Sequence, residues 1–119
     1  MDILKVYAKD KKVYIDLKIE DITMIESFKR GTNVYTLHGV YETGIPMKEI
    51  LISLKLAEFC QTHRKYVVAL QHVKHIEDKS VKVSSGYEAE ISRRLKTKFL
   101  EQYEHWMINQ KIKKHGHSG

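Results

Sequence analysis

Three short stretches concentrate cations beside small hydrogen-bonding side chains: "FKRGTN" (28–33), "THRKY" (62–66) and "ISRRLKTK" (91–98). Arg makes bidentate bonds to guanine or phosphate, while Lys, Ser, Thr and Asn fix a sugar-phosphate backbone. These residue types suit gripping a polyanion better than making or breaking bonds. Taken singly each stretch is more often a solvated turn; converging in the fold, the three would form one binding surface.

Other chemistries find less support. Seven histidines invite a metal site. His72 and His75 would nevertheless point to opposite faces of a strand, and no second pair follows at ligand spacing, so no metal is expected. A metal-dependent nuclease can be imagined around "IEDK" (76–79). It also needs an upstream metal-binding acid, and no Asp lies between Asp21 and Asp78, while Glu42, Glu49 and Glu58 fall in a turn and on a predicted helix. "HGVYETG" lacks the glycine spacing and the Lys of a phosphate-cradling loop. A Cys60–His63 dyad has no orienting acid or amide placed by the sequence. No cofactor is expected, and the chain does not read as an enzyme.

Composition agrees with a binding domain. The 119 residues suffice for one domain with one core, and 42% hydrophobic beside 30% charged residues describe a folded chain. Residues 1–60 carry nine Lys and Arg against nine Asp and Glu, whereas 61–119 carry twelve against six. The whole excess of +6 therefore lies in the second half, as a polyanionic partner would favour. Cys60 is the only cysteine, which excludes an intrachain disulfide. No apolar run approaches the ~20 residues that span a bilayer, so the expected location is cytoplasmic.

The elements that must position these clusters follow from periodicity. "ILKVYAKDKKVYIDL" alternates on either side of a polar turn and predicts a β-hairpin. Ile19, Ile22 and Ile25 suggest a short helical turn leading into a strand from Met24. Gly31 and Asn33 form a turn, and "NVYTLHGVYETG" gives two short strands. From Pro46 a central helix is predicted, with Met47, Ile50, Leu51, Leu54, Ala57 and Phe59 on one face. Strands follow from Tyr66, with turns at 78–80 and 84–86, and a C-terminal helix carries Leu95, Phe99, Tyr103 and Trp106. The expected organisation is one domain over 1–110 and a basic, disordered tail over 111–119. A helix-turn-helix over 47–60 and 64–76 is disfavoured, because "YVVALQHVKHI" is rich in β-branched residues and has no helix cap.

From about Ile3 to Phe99 the chain resembles a known family. "IESFKRGTNVYTLHGVYET", "FCQTHRKYVVALQHVKHIE" and "VKVSSGYEAEISRRLKTKF" are similar, in order and spacing, to three blocks of the LytTR DNA-binding domain of bacterial transcription regulators. The resemblance implies a mainly β, elongated antiparallel fold with a central and a C-terminal helix, which inserts loops into successive major grooves of double-stranded DNA. It further implies two copies on paired direct repeats. The DNA-facing side chains it assigns are Lys29, Arg30, Thr32 and Asn33 after Glu26-Ser27, then His63, Arg64 and Lys65, then Ser92, Arg93 and Arg94. Arg64 and Arg93 are the expected readers of base edges, with Lys29, Arg30, Lys65 and Arg94 mainly on phosphates.

The sequence departs from the family pattern at Gln61, where Arg or Lys is common, at Lys65 in place of Ser or Asn, and at Ala69 in place of Asn. Lys65 exchanges a hydrogen-bonding reader for a point charge. Family members commonly carry an N-terminal phosphoacceptor receiver domain, as response regulators of two-component systems do. The chain is therefore expected to be a piece of such a protein or a stand-alone regulator, governed by a separate protein or simply by its abundance. The rival reading from another class is a module for RNA or an acidic protein.

Overall fold

A computed structural model describes residues 2–54 and 58–116, the last four as helix backbone. Its elements, in order, are β1 (Ile3–Ala8), β2 (Val13–Lys18), a 3-10 turn (Ile19–Asp21), β3 (Ile22–Phe28), β4 (Gly31–Thr36), β5 (Gly39–Thr43) and α1 (Met47–Ser53). There follow β6 (Phe59–His63), β7 (Tyr66–Ala69), a second 3-10 turn (Leu70–His72), β8 (Val73–Ile76), β9 (Ser80–Val83), β10 (Glu88–Glu90) and α2 (Arg93–Gly116). The strand pairings are antiparallel and fall into a two-stranded β1-β2 sheet, a central sheet in the order β5-β4-β3-β7-β6 and a three-stranded β10-β9-β8 sheet. The molecule measures 48 × 35 × 24 Å, with the predominantly antiparallel architecture expected from the sequence.

Two apolar layers sandwich the central sheet. On one face Ile25, Val34 and Val67 meet Leu4, Val6 and Leu17 of the hairpin and Ile50 of α1. On the other, Met24, Cys60 and Val68 meet Val81, Val83 and Ala89 of the small sheet and Phe99 of α2. Ile22, Thr23, Met24 and Ile25 are consequently all buried, a continuous run where a one-sided strand would alternate. β1 is covered on one face only, and its burial alternates strictly. No helix among the described residues is long and apolar enough to cross a membrane.

Several boundaries differ from expectation: β3 begins at Ile22 rather than Met24, and Gly31 and Asn33, expected to form a turn, lie within β4. The central helix ends at Ser53, and Phe59 belongs to strand β6, where it pairs opposite Ala69. The apolar spacing that continues the helical face to Phe59 is overridden by the ladder β6 makes with β7 and by burial of Phe59, Cys60 and Thr62. Ala57, expected on that helical face, lies outside the described residues. His63, Arg64 and Lys65 therefore sit at a β-hairpin turn rather than at a helix end. At the other terminus α2 continues through Gly116, so the boundary read at residue 110 falls inside a helix.

Phe99 is fully buried and anchors the inner face of α2, with Tyr103 and Trp106 stacked beyond it at 6.4 and 6.2 Å between successive ring centroids. Phe99→Ala should lower the free energy of unfolding by about 3–5 kcal/mol, the usual cost of emptying a buried aromatic site. Urea unfolding followed by circular dichroism measures it; a loss under about 1 kcal/mol would show that α2 does not depend on this anchor.

Candidate nucleic-acid interface

The turn between β3 and β4 consists of Lys29 and Arg30, both exposed. Gly31 closes it at φ +149°, in a conformation that L side chains rarely adopt, and a Cβ there would overlap the Thr43 carbonyl oxygen. Glycine is thus required if this turn is to stand against the end of β5. Lys9, from the β1–β2 turn, donates from Nζ to the Arg30 carbonyl at 3.0 Å. The other two residues expected to face DNA here have structural partners. Thr32 is fully buried and its hydroxyl donates to the Ile45 carbonyl at 2.6 Å, so it does not reach the surface. Asn33 is half-buried and donates from Nδ2 to Glu26 Oε1 at 3.3 Å.

The second turn joins β6 to β7 and exposes Arg64 and Lys65. The Lys65 amide donates to His63 Nδ1 at 3.1 Å, which leaves the neutral imidazole proton on Nε2, facing Glu90 Oε2 at 3.7 Å. His63 is half-buried and holds the turn in shape. Gln61 Nε2 donates to the Arg64 carbonyl at 3.4 Å. A register shift between Gln61 and His63 marks an irregularity at Thr62, and the Thr62 hydroxyl donates to the Glu90 carbonyl at 2.8 Å.

The third cluster starts α2. The Ser92 hydroxyl accepts from the Leu95 amide at 3.2 Å, the geometry of a helix N-cap, and the Ser92 amide donates to the Thr62 carbonyl at 2.8 Å. Arg93 and Arg94, in the first turn of the helix, are exposed. Ser92 is thus half-buried and serves to aim the two arginines.

The clusters share one end of the central sheet. Because β3 and β7 are adjacent, the turns β3–β4 and β6–β7 lie two strand spacings apart, about 10 Å. The Ser27 amide donates to the Lys65 carbonyl at 2.7 Å, and the Ser92–Thr62 bond attaches α2 beside the second turn. Lys29, Arg30, Arg64, Lys65, Arg93 and Arg94 therefore line one cationic edge, with His63, Asn33, Thr32 and Ser92 behind it.

Glu26 joins the parts. Its Oε1 accepts from Tyr35 Oη at 2.8 Å and from Asn33, and its Oε2 accepts from Tyr66 Oη at 2.8 Å. Partial burial pushes this carboxyl up, but the three hydrogen bonds and the nearby Lys65 cation outweigh burial and hold it below its ordinary value. Burial and the same carboxylate raise both tyrosines, Tyr66 to about 12, so their hydroxyls remain donors throughout the physiological range.

In the sequence Glu26 stands only as a block marker, and Lys9 and Lys48 lie outside the three cationic clusters. An acid placed directly after the apolar pair Met24-Ile25 was the available signal for a carboxylate at the rim of the core. The other sites weighed in the sequence have structural partners. His72 contacts Ser84 Oγ at 3.1 Å and the Glu20 carbonyl at 2.7 Å, and His75 lies 3.5 Å from Glu77. The Cys60 thiol donates to Gln102 Oε1 at 2.7 Å, and burial pushes it up to about 11, against a smaller opposing effect of Lys98. Among the described residues no group of three His, Cys, Asp or Glu side chains converges as metal ligands would.

An antiparallel β domain that displays cations on two hairpin turns and at a helix start, along one end of its central sheet, presents a surface suited to a polyanion. The chain belongs to the LytTR family: the family's sequence profile, described as LytTr DNA-binding domain, matches residues 11–104. Its fold is also that of a solved structure described as the LytTr DNA-binding domain of a response regulator from Bacillus cereus. That structure superposes with a TM-score of 0.74 over 86% of this chain and 96% of that one, at 17% identity. A search of curated proteins finds no match. Membership makes this a DNA-binding domain of the kind used in transcription regulation, from a family of binding domains rather than enzymes.

Since Glu26 titrates below its ordinary value of 4.5 in the folded state, it stabilises the fold above that value and loses its contribution as pH falls through its folded value. The urea midpoint should therefore decline on acidification from roughly pH 5 to pH 3, and Glu26→Gln should flatten that decline while lowering the midpoint at pH 7. Parallel acid limbs in the two proteins would remove Glu26 from the account.

Proposed function

We propose that this domain binds double-stranded DNA in a sequence-specific manner, by placing its two hairpin turns and the start of α2 into the major groove, and that it regulates bacterial transcription from the cytoplasm. The observation that carries the reading is the alignment of the three cationic clusters along one end of the central sheet. The turn-to-turn separation of about 10 Å is comparable with the major-groove width of about 12 Å. Arg64 and Arg93, exposed guanidinium groups on the second turn and at the start of α2, read base edges. Lys29, Arg30, Lys65 and Arg94 contact phosphates, and His63, Asn33, Thr32 and Ser92 act through the turns they hold. Two copies bind paired sites as direct repeats, under a receiver domain or a separate regulatory protein.

Selection from a random duplex library, followed by gel-shift analysis of site spacing, tests the reading. Enrichment of paired motifs is the expected result. Competition with structured RNA at matched salt is the complementary test, and preference for RNA would overturn the reading. Arg93→Ala should cost roughly 1–3 kcal/mol on the selected duplex and relax discrimination at one base pair. Wild-type affinity and specificity in that variant would mean that the reading surface lies elsewhere.

A further inference from the structure

Two clefts flank the cationic edge, and their charge balance differs. The cleft beside α2, about 510 Å³, is lined by His63, Arg93 and Lys96 but also by Asp78 and Glu90. Asp78 bonds Lys96 at 2.5 Å and Glu90 faces His63, so its cations have acidic neighbours. The cleft at the opposite end, also about 510 Å³, lies between the β3–β4 turn and the segment joining β5 to α1. It is lined by Ser27, Lys29, Arg30, Gly44 and Lys48 among others, with no acidic residue among them. Lys9 reaches its rim: a Cβ on Gly44 would stand 3.1 Å from Lys9 Cε and 3.7 Å from Nζ. The Lys9 ammonium spends one proton on the Arg30 carbonyl and has two left to donate.

Four cations from three separate segments thus surround one opening, where like-charge repulsion opposes their gathering unless an anion shares the space. Residues that serve only solubility do not need to converge. The position of the opening suggests its occupant. β5 is the outermost strand of the central sheet, and its end lies one and a half strand spacings, about 7 Å, beyond the β3–β4 turn and farther from the β6–β7 turn. When the two turns occupy a major groove, this end of the sheet falls over the sugar-phosphate backbone that borders it.

We infer that the cleft between the β3–β4 turn and the start of α1 is a phosphate site for the DNA backbone flanking the base contacts, with Lys9 and Lys48 as ligands beside Lys29 and Arg30. This rests on the DNA-binding reading above and adds to it a subsite built by the β1–β2 turn and by α1, neither of which carries the three sequence clusters. Lys9 has two tasks there, bracing the turn through the Arg30 carbonyl and offering its remaining protons to a phosphate oxygen. Gly44 keeps the floor open, since a side chain at that position would press on the lysine stem.

Binding of wild type and variants to a duplex of arbitrary sequence, and to the selected duplex, over a series of salt concentrations tests the site. Lys9→Gln/Lys48→Gln should weaken both complexes several-fold and by the same factor. The slope of log K against log salt should shrink by about 2, near 0.9 for each phosphate contact. Lys48→Glu alone leaves the Lys9–Arg30 bond in place and should likewise weaken both complexes, with thermal unfolding unchanged. Wild-type affinity and slope in Lys48→Glu would overturn the site, as would a loss confined to the selected duplex, which would assign these lysines to base reading. Failure of wild type to bind either duplex would instead defeat the DNA-binding reading on which the site rests.

Discussion

The Glu26 carboxylate, a charged group at the rim of the core that three side chains must satisfy, is the constraint on which the rest of the interface depends. It accepts from Asn33 and Tyr35 on β4 and from Tyr66 on β7, so one residue of β3 fixes both neighbouring strands at the end where the cationic turns emerge. A half-buried carboxylate is costly unless it is fully hydrogen-bonded, and here its downward-shifted titration reflects that satisfaction. The two-sided burial of β3 keeps the carboxylate from moving, since Met24 and Ile25 are locked into opposite layers. Core, hub and turns form a chain of support that reaches solvent only at its last link.

Much of this fold was legible in the sequence because its elements are short and strongly periodic. The β1–β2 hairpin, the breaks at Gly39 and Gly44 and the apolar face of α2 follow directly from residue spacing. The stretch from Met47 to Phe59 shows where spacing stops being informative. Its apolar residues suit a helix throughout, yet Phe59 is captured by β7, a partner whose proximity no local window reveals. The run at Ile22–Ile25 was ambiguous for a related reason, since burial on both faces removes the alternation by which a strand is recognised.

The candidate site divides in the same way. Arg, Lys and their turns were visible as composition, whereas the difference between a residue that faces outward and one that holds the turn was not. Thr32, Asn33, His63 and Ser92 have the chemistry of nucleic-acid ligands, and the structure uses that chemistry internally. A hydroxyl or amide reads identically in either role until its hydrogen-bond partner is known. Lys9 presents the converse case: its place in a polar turn made it unremarkable, and only the packing of that turn against Arg30 brings it beside the cationic β3–β4 turn.

The exposed residues of both turns are held by their main chain. The carbonyl of Arg30 accepts from Lys9, that of Arg64 from Gln61 and that of Lys65 from the Ser27 amide, while the Lys65 amide is anchored to His63. These bonds to Arg30, Arg64 and Lys65 engage their main-chain atoms and not their side chains, so the architecture of the turns and the chemistry they display can vary independently.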